Sequence, residues 1–452
     1  MIKNALSLFS TELRHCWALH LAGLLTLLSY GALLYLSHQP GKLPLTQFYP
    51  FLYLPWVALI ALAFIRKNNS SSRYSLKPII LWAVLFRLVG LFAEPIYEDD
   101  YYRFLWDGYQ TASTANPYDS TPMSHFGDSD TPAEFSNILD LINYPELPTV
   151  YAPTLQYVFL LSYLIASGNL IVLKLLFLLA EGIMLFALSK LVDPRRFLFA
   201  AWCPLLIFES TFQAHPDVIG ACFLALGLLA IHKQRPWKPM VFLGIAVTTK
   251  VFAIIIAPFW LKKGQWLKQG LLLGSVIALM YAPFIIQGSD AGWYSLRAMA
   301  KEWEFNSALI FITSQMNISG DLARSLGLYI FAGLYLILLI SFWKKRSQNQ
   351  TSTPPIDLIF GFFFILSPVI NPWYLIWMFP FVVIRPRLWS ITAMLVVSLS
   401  YTTGLNLSDS GGLRNFQIPS YIMVLEFGAI ALALIIDIAC YTKTKKQIVS
   451  SR

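Results

Sequence analysis

Three carboxylates in a row, Glu98-Asp99-Asp100, open a polar segment that runs through Tyr101-Tyr102-Arg103-Phe104-Leu105-Trp106-Asp107-Gly108 and continues to Asn116-Pro117-Tyr118. Like charges this close raise one another's pKa and are costly to hold together unless they share a proton or bind a cation. A carboxylate tuned toward neutrality is suited to act as a general base, and the interleaved aromatic rings can stack on a sugar or a lipid headgroup. On a helix, Asp100, Arg103 and Asp107 fall at i, i+3 and i+7 on one face, which lets Arg103 orient a carboxylate. The plainer alternative is a solvated acidic loop beside an interfacial aromatic belt.

Other polar groups stand at the ends of apolar runs or inside them. Glu209 and His215-Pro216-Asp217 can contact sugar hydroxyls or hold a metal weakly, and Asp217 can simply cap the helix that follows. Lys250, in Thr248-Thr249-Lys250, interrupts an apolar run, where a cation needs an anionic partner or a wet cavity. A phosphate is its natural partner; a structural carboxylate or snorkelling to the surface is the alternative. Arg87, near the end of its own apolar run, is a similar candidate. Two prolines break the run Ser367-Pro368-Val369-Ile370-Asn371-Pro372-Trp373-Tyr374, which frees backbone groups that only a cavity or an interface tolerates. Asn371, Trp373 and Tyr374 are then pocket-wall or belt residues, and Trp303-Glu304-Phe305-Asn306 is a comparable segment.

The elements that must position these groups are membrane helices. Of the 452 residues 57% are hydrophobic and 13% charged, against roughly 25% charged in a soluble domain. Apolar runs recur between Ala18 and Tyr441, many long enough, at about 20 residues per crossing, to span a hydrocarbon core of roughly 30 Å. Runs such as Gly270–Ile286 and Ile422–Ile438 are apolar on every side, which excludes the alternating pattern of a membrane β-barrel. The expected fold is an all-α polytopic membrane protein with about 12 transmembrane helices plus re-entrant segments.

Charge then orients the chain. Basic residues cluster between runs, at Arg66–Lys77, Arg195–Arg196, Lys233–Lys238, Lys262–Lys268, Lys344–Arg346, Arg385–Arg387 and Lys443–Arg452, and mark cytoplasmic loops. The formal charge of +9 therefore points to membrane orientation and not to nucleic acid. The stretch Glu94–Val150 holds eleven of the 24 acidic residues and a single base, Arg103, and faces outward, as does Leu405–Gln417. Three regions follow: N-terminal transmembrane helices (1–93), an outer acidic loop (94–150), and a helical bundle with short outer loops (151–452). Parity of crossings makes Tyr151–Ala166 an interfacial or re-entrant helix. Met240–Leu261, split by Thr248-Thr249-Lys250, has halves of about 17 Å, too short to span, and is expected to be a re-entrant pair with Lys250 near its apex. Both termini are expected in the cytoplasm, with an uncleaved first helix. Cys16, Cys203, Cys222 and Cys440 have neither metal-site nor disulfide-framework spacing.

Taken in order, the Asp99-Asp100 segment, Asn116-Pro117-Tyr118, the Tyr151-Ala-Pro-Thr start, Trp202-Cys-Pro-Leu with Glu209 and His215-Pro216-Asp217, the Thr-Thr-Lys250 break, and Ser367-Pro through Asn371-Pro-Trp-Tyr374 cover roughly residues 96 to 384. In that order the chain resembles the bacterial integral-membrane glycosyltransferases of the C-type superfold, especially mannosyltransferases that use polyprenyl-phosphate sugars. The resemblance implies an aspartate in the first outer loop as general base, Asp100 before Asp99. It also implies a polyprenyl-phosphate sugar as donor, a lipid or glycan as acceptor, and the lipid bilayer as surroundings. On this reading Arg103, Lys250 and Arg87 stabilise the departing phosphate. Asp107, Asn116, Tyr118, Glu209, His215, Asp217, Asn371, Trp373 and Tyr374 contact sugar or acceptor. No cofactor and no metal site is expected, and single displacement inverts the anomeric centre. A bacterial inner membrane with the site on its outer side is the expected location. The competing classes are a secondary transporter or lipid flippase, which lacks support from paired broken segments in two halves, and a polysaccharide polymerase using a lipid-diphosphate donor. For the polymerase more outer-loop arginines are expected than Arg103, Arg297 and Arg414.

Overall fold

Six helices are long and apolar enough to cross a membrane: Trp17–Ser37, Leu45–Ile65, Leu170–Ser189, Trp266–Ile286, Gly320–Ser347 and Ser420–Thr442. They belong to a computed structural model that describes residues 2–67, 76–348, 354–404, 406–408 and 416–450. Large apolar side chains such as Leu279, Ile286, Ile337 and Ile435 stand exposed on these helices, as lipid-facing residues do. Most of the other apolar runs are divided into shorter helices, among them Pro153–Ile165, Asp217–His232, Lys238–Val247, Val251–Trp260 and Ile356–Ile365. The count of about twelve crossings thus rests on apolar runs and not on unbroken helices. Among the described residues the sheet content is one parallel pair of two-residue strands, Leu43–Pro44 with Leu407–Ser408. Most of Leu405–Gln417, with Arg414, lies outside the described residues, as do parts of the basic clusters Arg66–Lys77 and Lys443–Arg452.

The breaks occur where the sequence interrupts hydrophobicity. Lys238–Val247 ends at Thr248, Lys250 is extended, and a tight turn over Val251–Ile256 leads into Ala257–Trp260. The helix Pro153–Ile165, expected to lie at the interface or re-enter, has 13 residues, or about 20 Å, less than a full crossing. Its first turn is tied to the Lys250 break, because Thr154 N donates to Thr248 O at 2.9 Å and the two threonine hydroxyls meet at 2.8 Å.

The acidic segment folds on that helix. Tyr101–Thr114 is amphipathic and packs along Pro153–Ile165. The approach is closest at Gly108, where an added Cβ would lie 2.5 Å from the carbonyl oxygen of Phe159. The start of the loop is held from below by Lys174, fully buried on Leu170–Ser189, whose ammonium donates to the carbonyls of Gly90 (3.4 Å), Ala93 (2.5 Å) and Phe212 (3.4 Å). A cation there complements the C-terminal end of Leu76–Leu91 and joins it to the turn that carries His215.

Candidate active site

Asp100 is the residue that caps the N-terminus of Tyr101–Thr114, yet its carboxylate makes no capping bond. Its negative charge sits at the positive end of the helix dipole with its oxygens left for other partners. Tyr151, just ahead of Pro153–Ile165, donates its phenol to Asp100 Oδ2 at 3.4 Å. Glu98, Asp100 and His215 converge, each offering a ligand atom within 4.8 Å of the others. Burial and the Asp100 charge hold Glu98 well above the ordinary carboxylate range. Burial also raises Asp100, opposed by Lys250, by the Tyr151 phenol and by Glu98. The two acids titrate as a pair, with Glu98 the more strongly raised and Asp100 the member that Lys250 and the Tyr151 phenol favour in its charged form. Asp99 is pushed up to about 6 by burial and by Asp100; it faces away to Asn143, whose amide donates to it.

His215 enters from an irregular turn. A π-type turn over Phe208–Phe212 is followed by Ala214 in the left-handed region (φ 59°), and His215 N donates back to Glu209 O at 2.9 Å. The imidazole Nδ1 meets Glu209 Oε2 at 2.7 Å, and Trp373 stacks on the ring at 3.7 Å and 16°. His215 is 1% exposed, and its Nε2 has no protein partner. Burial first, and Lys250 second, push its pKa well below the usual histidine value, so the ring is neutral. Gln213 Oε1 accepts from Tyr97 N at 2.8 Å, which brings this turn against the acidic loop.

Lys250 completes the pocket. Its ammonium donates to Asp217 Oδ1 at 2.7 Å and lies 4.5 Å above the Tyr374 ring. Trp377 Nε1 donates to the same Asp217 oxygen at 2.6 Å. The Trp377 ring covers Gly220, where an added Cβ would come within 2.0 Å of it. Asp217 is therefore not a side-chain cap: its Oδ1 is taken by Lys250 and Trp377, and its Oδ2 has no protein partner. The Asn371–Tyr374 turn enters through Trp373 and Tyr374, with Asn371 half-buried at its start.

Five expected contact residues are engaged in other interactions. Arg87 does not reach the pocket: its guanidinium is bound to Glu181 and donates to the carbonyls of Ala83 and Ala201, each at 2.9 Å. Both residues are buried, so Arg87 serves as the counter-charge of a membrane carboxylate. We expect Arg87→Met to destabilise the protein by about 3–5 kcal/mol by stranding Glu181, and Arg87→Met with Glu181→Leu to recover most of it. Thermal unfolding in detergent measures both. Asp107, 1% exposed, gives Oδ1 to Arg103 Nε (3.0 Å) and Oδ2 to Thr149 and to Gln156 Nε2 (3.0 Å), so it has no room for a sugar. Arg103 is consumed by that pair and by Leu147 O at 2.9 Å; it orients Asp107, not Asp100. Asn116 and Tyr118 are buried in the loop, Asn116 bonding Asp119 at 2.7 Å and Tyr118 donating to Tyr151 O at 2.8 Å. Glu98, Tyr151 and Trp377 belong to the pocket and were not singled out as site residues. Glu98 and Tyr151 stood inside segments that drew attention, whereas Trp377 had no local signal.

Glu98, Asp100 and His215 are also the residues that could hold a divalent cation. Lys250 already supplies positive charge there, felt by both Asp100 and His215. Acidic groups, a lysine and stacked aromatic rings thus gather where the acidic segment meets the apolar helices. Residues 45–262 match the N-terminal domain of the MptA/B family, described as α-(1→6)-mannopyranosyltransferase, and residues 307–436 match the MptB C-terminal domain. The two matches together take in most of the chain, which belongs to this family: it is an integral membrane glycosyltransferase that transfers mannosyl groups. No curated protein and no solved structure matches the chain.

Proposed function

We propose that the protein moves mannose from a polyprenyl-phosphate donor to a hydroxyl of a lipid or glycan acceptor on the outer face of a bacterial inner membrane, both its termini being cytoplasmic. What carries this reading is the convergence of Glu98, Asp100 and His215 at one point, with Lys250, bound to Asp217, close enough to favour the charged form of Asp100. Asp100 takes the proton of the acceptor hydroxyl as its oxygen bonds to the anomeric carbon. The bond from that carbon to the phosphate oxygen breaks, and the polyprenyl phosphate leaves with its electron pair beside Lys250. One displacement inverts the centre, so the α product named for the family requires a β-linked donor. Trp373 and Tyr374 offer faces for the sugar, and His215 Nε2 an acceptor for a hydroxyl. The basic clusters between apolar runs support the orientation.

The test is the protein in lipid vesicles, given polyprenyl-phosphate mannose and a mannoside acceptor, with free lipid phosphate followed by mass spectrometry. Mannose-dependent release with a new α-mannosidic product is expected; no release from any such donor sinks the reading. Because Lys250 meets the phosphate charge, treatment with a chelator is expected to leave the rate unchanged. A rate abolished by chelation and restored by a divalent ion would transfer that role to a metal on Glu98, Asp100 and His215.

A further inference from the structure

We propose that Tyr151 is a positioning residue for the base and that buried Asp107 anchors it, so that the Asp107–Thr149–Gln156–Tyr151 chain aims the Asp100 carboxylate. This inference rests on Asp100 as base. Tyr151 is restrained from several sides. Its N–H donates to Thr149 Oγ1 at 3.3 Å, and its carbonyl accepts from Gln156 Nε2 at 3.2 Å and from the Tyr118 phenol at 2.8 Å. Its ring lies edge-on to Phe104 at 4.9 Å and Phe159 at 5.8 Å. Thr149 and Gln156 converge in turn on Asp107 Oδ2, and Gln156 Nε2 also reaches Thr149 Oγ1 at 3.1 Å. Thr149 and Gln156 are fully buried. Gln156 Oε1 is left without a partner, but the Asp107 carboxylate, the Thr149 hydroxyl and the Gln156 amide nitrogen are all engaged, and the outlet of the chain is the Tyr151 phenol that touches Asp100.

The phenol has two effects. It fixes the rotamer of a carboxylate that makes no bond to its own helix, and it favours the charged form needed to accept a proton. The charged and titratable groups that act on Asp100 are Glu98, Lys250 and Tyr151, with Arg103 acting through its charge alone, His215 within ligand distance and Asp99 beside it in the chain. Among these, Tyr151 is the neutral donor, and it can be removed without changing net charge.

The experiment is Tyr151→Phe in vesicles, with Asp100→Asn as reference. Kinetics are followed across pH. We expect kcat to fall about ten- to a hundredfold with KM for donor little changed. We also expect the acid limb of the kcat profile to move up by about one pH unit, because a carboxylate without its donor titrates at higher pH. Thr149→Val should shift the limb in the same direction, and Thr149→Ser should restore it. A Tyr151→Phe enzyme with the wild-type kcat, or with a reduced kcat and an unmoved acid limb, overturns the proposal and leaves Tyr151 a packing residue. An Asp100→Asn enzyme that stays active removes the base itself, a failure of the catalytic reading and not of the network alone.

Discussion

Asp100→Asn is expected to lower the rate of mannosyl transfer by about 10²–10⁴-fold while the donor still binds. The amide keeps the shape of the carboxylate and its place at the start of Tyr101–Thr114, where no capping bond depends on it. It cannot accept the acceptor's proton. The neighbouring acids do not replace it: burial holds Glu98 well above the ordinary carboxylate range, and Asp99 is committed to Asn143. Turnover with a fluorescent donor, set beside equilibrium binding of the same donor, separates the two effects. A variant within about tenfold of wild type, less than a general base contributes, would move the base elsewhere. Asp99→Asn is the natural comparison, and the larger loss is expected at Asp100.

Replacing Lys250 has the second-largest expected effect, and a single substitution is ambiguous. Lys250→Met removes the cation from the leaving phosphate and also leaves Asp217, fully buried, with one unpartnered oxygen and only Trp377 on the other. A stranded buried carboxylate costs about 3–5 kcal/mol of stability, so loss of activity alone says little. Lys250→Met with Asp217→Asn removes the charge from both members and keeps the Trp377 partner. We expect the double variant to regain stability and to remain about 10²–10³-fold slower than wild type, the loss typical of a removed transition-state contact. Stability by thermal unfolding and rate by lipid-phosphate release are read on the same preparation. If the double variant turns over at the wild-type rate, Lys250 is only the counter-ion of Asp217 and the phosphate site lies elsewhere.

The same lysine shows how far the residues alone lead. A cation inside an apolar run demands an explanation whatever the fold, and the residues allow two: a phosphate or a structural carboxylate. The structure pairs it with Asp217, 33 residues earlier, while placing it beside Asp100. The acidic run is a similar case. That Glu98, Asp99 and Asp100 perturb one another follows from adjacency; which one carries the charge depends on Tyr151, Lys250 and the free helix N-terminus. Asp107 and Arg103 had the right spacing to touch, and they do, but their burial turns a presumed sugar contact into an anchor. Arg87 looked like Lys250 in sequence and differs from it only because Glu181, on another helix, lies within reach.

By itself the sequence determined the solvent of the chain, the helical class and the breaks that open a cavity. Each follows from local physics: apolar runs must bury in lipid, backbone in lipid must bond to itself, and a lysine or a proline interrupts that order. It also marked the segments whose charges need an explanation, because charge in a membrane protein is costly. Only the tertiary structure decided which charges pair and which face the pocket. Those choices depend on contacts between segments far apart in the chain, Tyr97 with Gln213, Thr154 with Thr248, Trp377 with Asp217. Local periodicity carries no record of such contacts, since each is set by which helices the buried surfaces bring side by side.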